Sequence, residues 1–120
     1  MLEADTGAIL LLGEDGRLQL RATVGLGEGA APAPAIPIGE GIAGAVAASR
    51  APLLVPDLSQ VEPASPALRE RGINSVVAIP LVVEDRVIGV VHAGSERYAQ
   101  FVDDDARLLE LIADRIVEHK

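Results

Sequence analysis

The apolar positions of this chain fall into short blocks rather than long stripes. Ala8-Ile9-Leu10-Leu11-Leu12 is a continuous apolar run, as expected of a strand covered on both faces, whereas Leu18, Leu20, Ala22 and Val24 alternate with polar residues. Between them lies Gly13-Glu14-Asp15-Gly16-Arg17, whose Asp-Gly pair predicts a tight turn. The two blocks therefore form a hairpin, with the second strand nearer an edge or a wet face. A second hairpin is predicted from the apolar runs 75–83 and 86–94 around Glu84-Asp85. Within it Pro80 removes one ladder donor, so the strand is bulged there or turns its donorless nitrogen away from a neighbour. Leu53-Leu54-Val55 reads as a short strand after Pro52.

The helical signals are of three kinds. Residues 42–49 are Ile, Ala, Gly, Val and Ser, small enough to lie close against a sheet. Ser65 and Pro66 form an N-cap and first helical position for a short helix ending at Gly72. Residues 103–119 carry a 3.6-residue period that gathers Ala106, Leu109, Ile112, Ala113, Ile116 and Val117 on one side, with Asp103, Asp104 and Asp105 at the positive end of the helix dipole. On that wheel Leu111 falls on the opposite side, among Arg107, Asp114 and Glu118, and Leu108 lies at the margin. The alanine- and proline-rich stretch 30–37 predicts an extended surface loop. The order β-β-α-β-α-β-β-α, with hairpins at both ends, implies an α+β fold: an antiparallel sheet packed by helices on both faces.

Composition narrows the function classes. A chain of 120 residues forms one domain with a single core. It has no cysteine, which removes disulfides, thiolate metal sites and cysteine catalysis. A net charge of -8 without a basic cluster argues against nucleic acid and anionic membranes as partners. With 49% hydrophobic residues but only 2% aromatic, the core is built from Val, Leu, Ile and Ala and offers few stacking platforms for bases or flat cofactors. No apolar run approaches the length of a membrane span, and MLEADTG carries acid where a signal peptide carries base, so a cytoplasmic domain is expected.

Gly39-x-Gly41-x-x-Gly44 matches a dinucleotide-binding pattern, but that chemistry needs a strand immediately before the glycines and a βαβ unit around them. Here a Pro-Ala loop precedes and a hairpin follows, so the glycines are read as a sharp entry into helix 42–49 and as room for close backbone approach. Asp57, Ser59, Asn74, Ser75 and His92 form no nucleophile elbow or carboxylate cluster in one element, and Asp57 is expected to cap the turn after it.

The runs IPIGEGIAGAVAASRAPLLVPDL, RERGINSVVAIPLVVEDRVIGVVHAGSE and FVDDDARLLELIADRIVEHK together resemble the GAF domain, most closely the sensor modules of bacterial serine phosphatases and histidine kinases. The resemblance implies a small-ligand site on the side of the sheet covered by helix 42–49. Candidate lining residues are Ile42, Val46, Leu58, Asn74, Val77, Ile79 and His92; strand alternation admits only every second residue of 75–83, and the parity is open. Family members that reduce free methionine sulfoxide or carry bilins depend on cysteine, so neither is expected here, and the chain is expected not to be an enzyme. Cyclic-nucleotide members carry an Asn-Lys pair, then Phe, then Asp-Glu; this chain has Ser95-Glu96, Phe101 and Asp105-Ala106 in those places, so that ligand is not expected. His92 stands alone in an apolar strand and is expected to ligate neither haem nor a metal; no cofactor is implied.

The family also implies a helix before the first hairpin, packed beside the terminal one, for which residues 1–5 leave no room. Either the sequence is a fragment that lacks this helix or another chain supplies its contacts; on the second reading the surface of Leu108, Leu111 and Arg115 is expected to pair with a second copy, the alternative being a helix simply half exposed. Three function classes follow: a regulatory module of a larger signalling protein, a dimerisation scaffold without ligand, or a small-molecule enzyme on the same fold.

Overall fold

The computed structural model describes residues 4–25, 35–60 and 72–118, with side chains through Arg115. The predicted helix 66–72 and most of the Pro-Ala loop lie outside the described residues. The strands are β1 (Thr6–Leu12), β2 (Arg17–Val24), β3 (Ile36–Pro37), β4 (Leu53–Val55), β5 (Ser75–Val83) and β6 (Arg86–Ser95), and the helices are α1 (Gly41–Ser49) and α2 (Asp103–Glu118). They build one antiparallel sheet in the order β3-β2-β1-β6-β5-β4. Both predicted hairpins are present, and β1 is central, as its two-sided apolar run implied. Ile36–Pro37, assigned to the loop, instead pairs with Arg17–Leu18 as the edge strand. Ile36 retains the amide that the neighbouring prolines lack, which is sufficient for a two-residue ladder at an edge.

Period-two alternation sorts the core into two layers. Ala8, Leu10, Val76, Ala78 and Val90 face α1, where they meet Ile42, Ala43, Val46 and Ala47. Val77, Ile79, Leu81, Val91 and Ala93 face α2, where they meet Phe101, Ala106, Leu109 and Ala113. Helices thus cover both faces of an α+β sheet.

Two irregularities move side chains from where simple alternation would put them. The β1–β2 register shifts between Ile9 and Leu10: Leu10 pairs with Leu20 but Ile9 with Ala22, leaving Arg21 as the extra residue of a bulge. Leu18 and Leu20 accordingly lie on the α1 face, while Ala22 and Val24, expected beside them, turn to the α2 face. The β5–β6 register slips between Leu81 and Val82, next to Pro80, which sits beyond the last β4 rung at Ala78, on an open edge. Between β5 and β6, Glu84 and Asp85 both have positive φ (50° and 65°), as a two-residue hairpin turn of the required twist demands. The Arg50 guanidinium donates to the Asp85 carbonyl at 2.6 Å and ties this turn to the end of α1.

The glycine pattern now has a mechanical explanation. Gly39 and Gly41 adopt φ of 94° and 65°, closing the turn that leads from β3 into α1, with Gly39 N–H donating to Gly44 O at 2.8 Å. A Cβ on Gly44 would stand 2.5 Å from the Pro37 carbonyl oxygen, so backbone meets backbone there. Gly44→Ala must push β3 away from α1 and is expected to cost roughly 1–3 kcal/mol, the usual range for overpacking. A chemical denaturation midpoint unchanged from wild type would show that this contact does not constrain the fold.

Candidate functional site

The α1 face places the sequence-predicted residues unequally. Ile42, Val46 and Leu58 belong to its core, with Val46 at 0% and Leu58 at 3% exposure. His92 joins them by alternation: it pairs with Ala8 on one side and Ala78 on the other, both members of the α1-side core. Val77 and Ile79 do not. They point to α2, and Ile79 lines a separate cleft of about 300 Å³ with Arg50, Glu110 and Asp114. The parity of β5 was illegible because Ser75–Val83 is apolar at almost every position, so either register of faces satisfies the pattern; Val76 and Ala78 are the residues that face α1. Part of the segment expected to wall the site, 61–71, lies outside the described residues.

Asn74 sits at the rim. Its Nδ2 donates to the Glu96 carbonyl at 2.7 Å, its own carbonyl accepts from Leu58 N–H at 2.7 Å, and Ser75 Oγ donates to Arg97 O. These bonds latch the chain before β5 to the segment after β6. Asp57 Oδ1 accepts from both Ser59 N–H (3.0 Å) and Ser59 Oγ (2.7 Å), closing the single turn Leu58–Gln60 as expected of a capping residue. Of the loose constellation named above, Asp57 with Ser59 closes a turn, and that turn meets Asn74 through the Leu58 N–H bond, while Asn74 and Ser75 bond to the backbone after β6.

His92 is unusual in its surroundings. The residue keeps part of its surface, but its Nδ1 is shut off from solvent and has no hydrogen-bond partner. Burial without a compensating charge pushes its pKa from 6.5 down to about 4, so the ring is neutral at physiological pH. Thr6 was missed by the sequence reading. It is 2% exposed, and its Oγ1 is the other buried polar atom without a partner. Thr6 pairs with Gly94, two residues along β6 from His92, and the signal was available: period two puts Thr6 on the face of Ala8 and Leu10.

On the opposite face α2 packs through Ala106, Leu109 and Ala113, while Ile112, expected inward, is 43% exposed. Ile112 overhangs a groove of about 360 Å³ lined with Ile9, Ala22, Val24, Val91 and Leu109, which small residues and the β2 bulge leave unfilled. Leu111 is 64% exposed, as the wheel predicted, and Leu108 is half-buried. Val102 N–H donates to Asp105 Oδ2 at 2.8 Å, so the acidic helix start closes its own cap. Among the described residues no three His, Asp or Glu side chains cluster to hold a metal, and no helix is long and apolar enough to cross a membrane.

Comparison with known proteins agrees with this architecture. The chain matches the GAF domain family over residues 1–118 and belongs to it. It is 34% identical over 85 residues to the HTH-type transcriptional activator RamA of Corynebacterium glutamicum, a match covering 68% of this chain but only 30% of RamA. The free methionine-R-sulfoxide reductase of Neisseria meningitidis, solved with its substrate, superposes with a TM-score of 0.77 at 26% identity, over 92% of this chain and 64% of that one. A domain assigned to a two-component sensor histidine kinase of Sinorhizobium meliloti does so at 0.68 and 25% identity, over 93% and 74%.

The reductase corrects one expectation. The chain was expected not to be an enzyme, yet enzymes on this fold are among the structures it resembles. The absence of cysteine removes thiol chemistry, and that alone does not strip the scaffold of every other kind.

His92 makes stability depend on pH. Its folded pKa lies below its unfolded value, so between pH 6.5 and about 4 the unfolded chain takes up a proton that the folded chain resists. Stability therefore falls as pH drops through that window, by on the order of 3 kcal/mol at about 1.4 kcal/mol per pH unit, and is unaffected by this group above it. His92→Leu is expected to remove that part of the slope. Denaturation across the window with parallel wild-type and mutant slopes would contradict the assignment.

Proposed function

We propose that this chain is the sensory module of a larger signalling protein, holding a small molecule on the α1 face of its sheet and passing occupancy to an attached domain. The observation that carries the reading is His92: a neutral, partly accessible imidazole with an unpartnered nitrogen between Ala8 and Ala78, on the face of the sheet that α1 covers. The candidate lining is Ile42, Val46, Leu58, Asn74 and His92, with Val76 and Ala78 in place of Val77 and Ile79. Membership of the GAF family and the likeness to a sensor-kinase domain support a signalling role, and RamA, in which the matching stretch is under a third of a longer chain, supports an attached effector. Screening small metabolites by thermal denaturation tests it. A compound present at a hundred times its Kd stabilises by about 2.7 kcal/mol, and the gain should vanish in His92→Ala. If no compound raises the melting temperature, the sensor reading fails; if a bound compound is turned over, the domain is an enzyme instead.

Relay needs a moving or shared surface, and α2 offers one. Leu111 and Arg115 lie on the outer side of this helix with Leu108 half-buried at its margin, and Leu111 lies largely in solvent. We infer that two copies pair across it, the arrangement that removes such apolar area from water in identical chains. Sedimentation at micromolar concentration should show a dimer for the wild type and a monomer for Leu111→Glu. Monomers in both cases would remove the pairing.

A further inference from the structure

The buried polar inventory of this fold is short enough to identify what the α1 face can accept. Among the described residues the buried polar side chains are Thr6, Ser75 and Ser95, and none is charged. Ser75 is satisfied by Arg97 O, and Ser95 Oγ accepts from Arg97 N–H at 3.1 Å. Thr6 Oγ1 has no partner, and neither does His92 Nδ1. Their positions are related by the sheet: Thr6 pairs with Gly94 and Ala8 with His92, so the two stand on the same face as diagonal neighbours on adjacent strands, about 7 Å apart at the backbone. Small residues let both groups lie close against the sheet. A Cβ on Gly94 would fall 2.6 Å from Thr6 Oγ1 and 2.9 Å from Ile73 Cγ2, so the hydroxyl lies over bare backbone, and His92 is flanked by the methyl groups of Ala8 and Ala78.

Two buried polar atoms left without partners cost a fold free energy, and two on one face within reach of a single small group point to something that satisfies both. Resting on the reading of the α1 face as a ligand site, we propose that the molecule it takes is uncharged and largely apolar, and that it places one hydroxyl, carbonyl or amide between Thr6 Oγ1 and His92 Nδ1. The rest of the surface is consistent with this class. It is made of Ile, Val, Leu and Ala from α1, β1, β5 and β6. A carboxylate, phosphate or ammonium brought there would find no opposite charge among the buried described residues and would lose its hydration uncompensated. The neutral state of His92 agrees, since the ring supplies one donor and one acceptor but no charge.

The test uses a matched set of probes: cyclohexanol and cyclohexanone as neutral members, cyclohexanecarboxylate and cyclohexylammonium as charged ones. Binding is read from the imidazole nitrogen resonances of His92 in histidine-labelled protein and from melting temperature. The neutral probes should shift the His92 resonances in a saturable way and raise the melting temperature, while the charged ones should do neither. Thr6→Val, which keeps the shape and removes the hydroxyl, should weaken cyclohexanol about three- to tenfold, the loss expected of one neutral hydrogen bond. It should leave the unliganded protein at least as stable, because it deletes an unsatisfied polar atom. A Thr6→Val protein that is less stable but binds cyclohexanol as the wild type does would show that an ordered water satisfies Oγ1, and would overturn the proposal. Charged probes shifting His92 as strongly as neutral ones would also overturn the ligand class while leaving the site in place. If no probe moves the His92 resonances and the metabolite screen is also blank, the site itself fails.

Discussion

The ladder between β1 and β6 joins the two hairpins into one sheet, and the rest of the domain depends on its register. Thr6 to Leu11 run against Gly94 to Gly89 without interruption, and the two β6 positions at the ends of this ladder must be glycine. A side chain on Gly89 would collide with the Leu10 carbonyl, and one on Gly94 with Thr6 and Ile73. Because side chains alternate strictly along a strand, this register decides at once which residues meet α1 and which meet α2. A slip by one residue would exchange the two cores and move His92 to the opposite side of the sheet.

Both faces of the central strands are apolar, so each needs its own cover, and the two covers differ in kind. The α1 side is closed by a short helix of small residues that can approach closely; Gly44 lies against the Pro37 carbonyl, and Val46 is fully buried. On this side the His92 nitrogen and the Thr6 hydroxyl are shut off from solvent, in a medium where a missing hydrogen bond is felt strongly. This side departs from what packing alone would choose. A Leu at 92 and a Val at 6 would have served a purely structural core.

The α2 side is covered incompletely. The helix seats a narrow seam of Ala106, Leu109 and Ala113 on the sheet, and the β2 bulge swings Ala22 and Val24 into the same layer without filling it. Ile112 and Leu111 are left with large exposed fractions, and a groove remains beside them. Sensor domains and enzymes share this scaffold among its structural relatives, so the fold constrains function less than the contents of its α1 face do.

Local chemistry was enough to read both hairpins and both described helices of this chain, though not the edge strand Ile36–Pro37. Apolar runs interrupted by Asp-Gly and Glu-Asp turns specified both hairpins, small residues after a glycine-rich turn specified a close-packed helix, and a 3.6-residue period with an acidic start specified the last one. Each of these signals acts over a few residues and needs no partner. The α+β sheet covered on both faces was legible from the order of those elements, and the family from the resemblance carried by three runs of the sequence. Tertiary structure alone decided the parity of β5, where Ser75–Val83 is apolar at nearly every position and either face could have been the inner one until pairing with β6 chose. It alone placed Arg21 in a bulge and so split Leu18 and Leu20 from Ala22 and Val24, since a bulge depends on the partner strand. It alone showed Thr6 and His92 to be unsatisfied, because a missing hydrogen bond is a property of everything that surrounds a group in space, and a sequence lists only what precedes and follows it.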